Sequence, residues 1–220
     1  MGHAVRAELE SLLRARRLDV TLTSAAPWIG HRDVAPTGIA ALDVALGGGL
    51  VRGHLSEIVG ARSTGRQTVL CRTLAAAAER GEAVALIDTC DRFDPASAAA
   101  IGLDLSKLLW VRDTGDAPRA LKAMNLVLQA GGFGVVAFDL ADVPPAGLRQ
   151  FPYTTWMRIA RVIEGSQTAA VLVGADRLAR SPGGVTIALE ATPGAWTGTT
   201  DRARLLRAID PRPRIVGGKI

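Results

Sequence analysis

Short, nearly continuous aliphatic runs divide this chain, and between them lie longer stretches whose apolar residues recur every three or four positions. The runs at 54–59, 83–88, 108–112, 134–139 and 169–174 read as strands, because a strand buried on both faces needs no polar alternation. Between them, 67–80, 96–101, 117–129 and 154–164 carry helical spacing. That alternation predicts an α/β fold: a mainly parallel central sheet flanked by helices on both faces. After residue 181 the pattern changes. Residues 185–191 and 203–209 read as two more strands with Gly, Pro and Thr between them, a C-terminal β-hairpin extension. At the other end, Val5, Leu9, Leu12 and Leu13 lie at helical spacing with charges opposite, which predicts an amphipathic helix over 4–17. Residues 18–36, punctuated by Pro27 and Pro36, read as a linker. The expected organisation is an N-terminal helix and linker, 1–36, followed by a core with its extension, 37–220.

Composition narrows the class. A chain of 220 residues supports one full core, and 48% hydrophobic with 21% charged residues is a globular balance. Aromatic residues make up only 4%, so the core is expected to be aliphatic. No apolar run reaches the length of a membrane span, and the N-terminus lacks a signal-peptide layout, so the expectation is a cytoplasmic protein with no membrane contact. Cys71 and Cys90 offer neither a disulfide framework nor a zinc site, and no metal is expected. Charge is mildly basic, 26 Lys+Arg against 21 Asp+Glu. Arg202, Arg204, Arg207, Arg212, Arg214 and Lys219 against Asp201 and Asp210 leave a surplus of four in the last twenty residues. Such a segment suits nucleic acid or an acidic partner, and equally a solvated surface.

The candidate chemistry lies at residues 57–68, Glu-Ile-Val-Gly-Ala-Arg-Ser-Thr-Gly-Arg-Gln-Thr. A strand runs into a loop with Gly60 and Gly65 five apart, and a helix follows directly. This arrangement curls backbone N–H groups toward a phosphate beside the positive end of a helix dipole. A phosphate loop then needs Lys followed by Ser or Thr, where this chain has Arg66 and Gln67, with Thr68 one position late.

The flanking residues carry a resemblance. Residues 37–53, Thr-Gly-Ile-Ala-Ala-Leu-Asp-Val-Ala-Leu-Gly-Gly-Gly-Leu-Val-Arg-Gly, resemble the T-G-x-x-x-L-D-x-x-L-G-G-G-L-x-x-G stretch of the RecA-like superfamily. Leu86-Ile87-Asp88 with Asp94-Pro95, Ile101-Gly102-Leu103-Asp104 with Leu108-Leu109, and Val135 to Asp139 as the Walker B strand follow in order over roughly 37–175.

The resemblance implies roles that can be checked one residue at a time. Arg66 stands where the phosphate Lys is expected, with a larger planar fork in place of a compact ammonium. Gln67 stands where a hydroxyl holds Mg²⁺, Cys90 where a Glu activates water, and Gly174-Ala175 where an Asn-Gln pair senses the γ-phosphate. Asp139 is retained. Since phosphoryl transfer needs these groups together, the expectation is a chain that is not an enzyme and requires no cofactor. Gly60, Gly65, Arg66, Gln67, Thr68 and Asp139 remain as a degenerate nucleotide site, either a turn kept for the fold or a weak site for ATP or an anion. The family's two DNA loops correspond to 140–152 and 176–184, making Arg149, Arg177 and Arg180 the candidate DNA contacts for weak, salt-sensitive binding. Cys90 has no positioned His to make it a nucleophile and reads as a small buried residue.

Among RecA relatives, a short Arg-rich chain with this loop is most similar to the ImuA family. That resemblance implies an accessory scaffold in damage-induced mutagenesis and translesion DNA synthesis. The implied partners are an ImuB-like inactive Y-family polymerase relative, an error-prone DnaE-type polymerase, and RecA. Two rivals remain: an ATP-dependent DNA-binding recombination paralogue, and a SulA-like inhibitor of cell division.

Overall fold

The computed structural model describes residues 33–179, 183–191, 194–208 and 212–216. The amphipathic helix expected at 4–17 lies outside the described residues. The described residues all belong to one compact unit. It opens with a small ribbon, β1 (Val34–Ala35) antiparallel to β2 (Leu50–Val51), with α1 (Ala40–Ala45) between them. The Thr37–Asp43 segment is locally self-closing, since Asp43 Oδ1 accepts from both the Thr37 amide and hydroxyl at 2.7 Å. A Cβ on Gly49, at φ +147°, would lie 2.4 Å from the Ala35 carbonyl oxygen, so only glycine fits that crossing.

Then come β3 (Leu55–Gly60), α2 (Arg66–Glu79), β4 (Ala83–Asp88), α3 (Pro95–Ile101), β5 (Leu108–Arg112), α4 (Ala117–Ala130), β6 (Phe133–Asp139), α5 (Pro145–Leu148), α6 (Tyr153–Ile163), β7 (Ala169–Gly174) and β8 (Thr186–Glu190). The chain ends in β9 (Ala195–Thr197), β10 (Leu205–Ala208) and β11 (Arg212–Ile215). Local signals set several helix starts. Asp94 caps α3 by accepting from the amides of Ala96 and Ser97, and Asp116 caps α4 from the amide of Arg119. Gly102 ends α3 in the left-handed conformation, φ 105°.

The central sheet has seven strands in the order β11-β8-β3-β7-β6-β4-β5, all parallel except the edge strand β11. Alternate residues of one strand feed opposite faces: Val135 and Ala137 of β6 pack with Leu70, Leu74 and Ala78 of α2, while Val136 and Phe138 pack with Met124 of α4 and Trp156 of α6. The two aliphatic cores explain why these strands lack polar alternation. Among the described residues, no helix is long and apolar enough to cross a membrane.

The C-terminal region differs in pairing from the expectation. The strand predicted at 185–191 is β8, and it joins the sheet parallel to β3 rather than pairing with the 203–209 strand. Burial decides this, because Ile187 and Leu189 are sealed in the core. The hairpin extension is built from β9 and β10 instead. β11, whose Arg-Pro-Arg sequence carries no strand pattern, lines the sheet edge where Pro213 is tolerated.

Candidate functional site

Parallel strands place their carboxyl ends on one edge, and in such sheets ligands sit in the crevice outside that edge. Here the edge gathers the end of β3 at Gly60, of β7 at Gly174, of β6 at Asp139 and of β4 at Asp88, in that spatial order. The loop from β3 to α2 is held tightly. A Cβ on Gly60 would lie 2.6 Å from Thr64 Oγ1 and 2.7 Å from the Leu189 carbonyl oxygen. Gly65 takes φ 91° as the helix N-cap, Ser63 takes φ 62°, and Thr64 Oγ1 donates to the Ala61 carbonyl at 2.8 Å. The helix ladder begins with Val69 N–H to the Gly65 carbonyl, so the amides of Arg66, Gln67 and Thr68 stand ahead of it. Both glycines are therefore required by the loop's geometry, and three amides at the helix start are left without an intrahelical acceptor.

The next two side chains cross the edge. Arg66 is buried, and its Nη1 donates to the carbonyl of Gly174 at 3.1 Å. Gln67 is exposed, and its Nε2 donates to Asp139 Oδ2. Asp139 Oδ1 accepts from the Ala141 amide at 2.9 Å. Burial pushes the Asp139 carboxyl above the ordinary aspartate range; the Ala141 and Gln67 hydrogen bonds pull the other way, and nearby Asp88 adds to the rise. Asp139 and Asp88 are register partners across β6 and β4.

The Mg²⁺ that the family resemblance implies does not fit this donor set. A divalent ion needs oxygen ligands in a near-octahedral shell. Position 67 has a longer amide side chain in place of a compact hydroxyl, and it turns its N–H, not its oxygen, toward the carboxylate. Thr68, half-buried in the first helical turn, sits one position around the helix. Cys90 follows β4 and is half-buried, and burial, with Asp142, Asp139 and Asp88 nearby, raises its thiol pKa, so it stays a protonated thiol. Its neighbour Thr89 is fully buried, and its hydroxyl has no hydrogen-bond partner among the described residues.

The two candidate DNA loops leave the same edge. Arg149 and Arg177 are exposed on them, and Arg180 lies outside the described residues. The first loop folds its middle into α5. The second is pinned to the sheet by buried Glu57, whose Oε1 accepts from the amides of Leu178 and Ala179 at 2.7 and 2.8 Å. A cavity of about 470 Å³ lies between the loops, lined in part by Arg62, Asp142, Leu148, Arg149 and Asp176. Two of these lining residues, Arg62 and Asp142, pair at 2.7 Å. The sequence pattern gave no sign of Arg62, Asp142 or Glu57 in these roles. Nor did it bring together Trp196 and Arg204: on the β9–β10 hairpin half of Trp196 is exposed, and the Arg204 guanidinium lies 5.2 Å from its ring centre.

A family model described as the RecA N-terminal domain matches residues 27–148, more than half of the chain. The protein named RecA from Symbiobacterium thermophilum is 42% identical over 118 residues, 52% of this chain and 33% of that protein. RecA from Methylococcus capsulatus is 41% identical over 109 residues, 49% of this chain and 31% of that one. The chain thus spans about a third of the length of the curated relatives it matches. The crystal structure of the RadB recombinase has the same fold, with a TM-score of 0.56 at 17% identity, over 73% of this chain and 84% of that one. These relatives correct the expectation that the chain is not an enzyme. Its sequence likeness is to proteins named RecA, and it keeps the glycine-loop geometry and Asp139, so single replacements at Arg66, Gln67 and Cys90 do not support a non-enzymatic chain.

Proposed function

The chain belongs to the RecA N-terminal domain family, and we propose that it is an ATP-dependent DNA-binding protein of the recombination and repair class. One observation carries this reading: the Arg66 guanidinium reaches from the phosphate loop to the Gly174 carbonyl, two residues before the loop that bears Arg177. A neutral carbonyl is a weaker partner for guanidinium than a phosphate, because a phosphate adds full opposite charge and can accept two parallel N–H bonds. A bound nucleotide therefore draws Arg66 from Gly174 and changes the start of the 176–184 loop. Glu57, on the strand that leads into the phosphate loop, ties the same loop at Leu178 and Ala179. Trp196 with Arg204 adds an exposed ring beside a cation, the pairing on which single-stranded bases stack.

The test is binding of labelled single-stranded DNA with and without an ATP analogue, followed by anisotropy across a salt series. Tighter binding with nucleotide is expected, and Arg66→Met should abolish the difference. Affinity indifferent to nucleotide in the unaltered chain would sink the reading.

A second reading keeps the accessory role in damage-induced translesion synthesis, beside an ImuB-like polymerase relative, a DnaE-type polymerase and RecA. Its support is the departure from the recombinase pattern at Gln67 and Cys90, two positions of one site. Co-purification of the chain with those polymerase components tests it, and their failure to associate would remove it.

A further inference from the structure

We propose that the loop at 60–68 takes the phosphates of a nucleotide without a divalent cation, the Gln67 amide bridging to Asp139 where an ion would otherwise sit. The proposal rests on the nucleotide reading above and assigns that site its ligand chemistry: nucleotide phosphate free of Mg²⁺.

Three features of the donor set carry it. Gln67 Nε2 donates directly to Asp139 Oδ2, so the side chain that leads from the phosphate loop to the acid is a hydrogen-bond donor. The other carboxylate oxygen, Oδ1, accepts from the Ala141 amide at 2.9 Å, so both oxygens of Asp139 are engaged by N–H groups. The nearest hydroxyl in the helix, Thr68, is rotated about 100° from position 67 by helical geometry.

Phosphate charge has other compensation. The amides of residues 66–68 precede the helix ladder at the positive end of α2. Arg66 spends one N–H on Gly174, and a guanidinium has further donors for phosphate oxygens. Asp139, satisfied by Gln67 and Ala141, does not face the phosphates as a bare carboxylate. An amide therefore does here what a cation does elsewhere: it lets an acid and a phosphate share one edge of the sheet.

The experiment titrates the full chain with a ribose-labelled fluorescent ATP analogue in buffer with Mg²⁺ and in buffer with EDTA. Dissociation constants agreeing within about threefold are expected. Gln67→Thr, at an exposed position, is expected to bind about tenfold tighter with Mg²⁺ than with EDTA. Unaltered protein that saturates only with Mg²⁺, or about tenfold tighter with it, overturns the proposal and leaves nucleotide binding standing. A Gln67→Thr chain indifferent to Mg²⁺ also overturns it. No saturation in either buffer overturns both this proposal and the nucleotide reading.

Discussion

Asp88 and Asp139 end neighbouring parallel strands, pair in register and are both buried, yet they do different work. Asp88 Oδ1 accepts from the Arg92 amide at 3.0 Å, while Oδ2 accepts from the Phe93 amide at 2.9 Å and Trp110 Nε1 at 3.3 Å. These donors belong to the turn after β4 and to the half-buried Trp110 of β5, so they cannot be exchanged without unfolding that turn. Asp139 has one backbone donor, Ala141, and one donor on the exposed side chain of Gln67. The same residue type at the same edge is thus structural where its partners are fixed and available where one partner can swing away. Phe93 and Trp110 reinforce the first case with an edge-to-face ring contact at 5.2 Å.

Isosteric substitutions break or sharpen that contrast. The largest effect is expected for Asp88→Asn: an amide NH₂ must then face a backbone N–H, leaving buried donors unmet and costing about 3 kcal/mol by denaturant unfolding. Asp113 comes next, at the end of the strand beside β4. The Arg119 guanidinium beside it, helped by the amides of Asp116 and Thr114, holds its carboxyl down to about 2. A lowered pKa means stabilisation that is present above the ordinary value of 3.8 and lost as pH falls through about 2. Arg119→Met should flatten that acid slope in a series of melting curves.

Thr89→Val removes the buried hydroxyl that lacks a partner while keeping its shape, and should stabilise the protein by about 1 kcal/mol in the same denaturant assay. The smallest effect is expected at Asp139. Asp139→Asn should cost less than about 1 kcal/mol near neutral pH, because the exposed Gln67 side chain can swing away and leave the new amide NH₂ to water. It should also remove a pH dependence of opposite sign to that of Asp113. With the folded pKa raised, the favourable contribution is full below the ordinary aspartate range and lost as pH rises through the folded value. If Asp139→Asn proved as damaging as Asp88→Asn, the contrast between fixed and exchangeable partners would fail.

Much of the fold was readable because burial on both faces of a parallel sheet leaves a direct trace. The runs at 83–88 and 169–174 coincide with β4 and β7. Glycine spacing likewise located the loop, since Gly60 and Gly65 stand where a Cβ would collide or a left-handed angle is needed. The hairpin partners were not readable. Residues 185–191 carry a strand pattern that suits either a local hairpin or the central sheet, and only the space beside β3 decided between them.

The amino-acid sequence by itself determined which segments bury both faces, where the phosphate loop turns, and which residue types the site contains, because these depend on local periodicity and on single-residue conformational freedom. Tertiary structure alone decided that Gln67 meets Asp139 across 72 residues of chain and that Arg66 reaches Gly174 across 108. Those contacts follow from the order β3-β7-β6 at the sheet edge. That order is set by long-range strand pairing, which no spacing along the chain encodes.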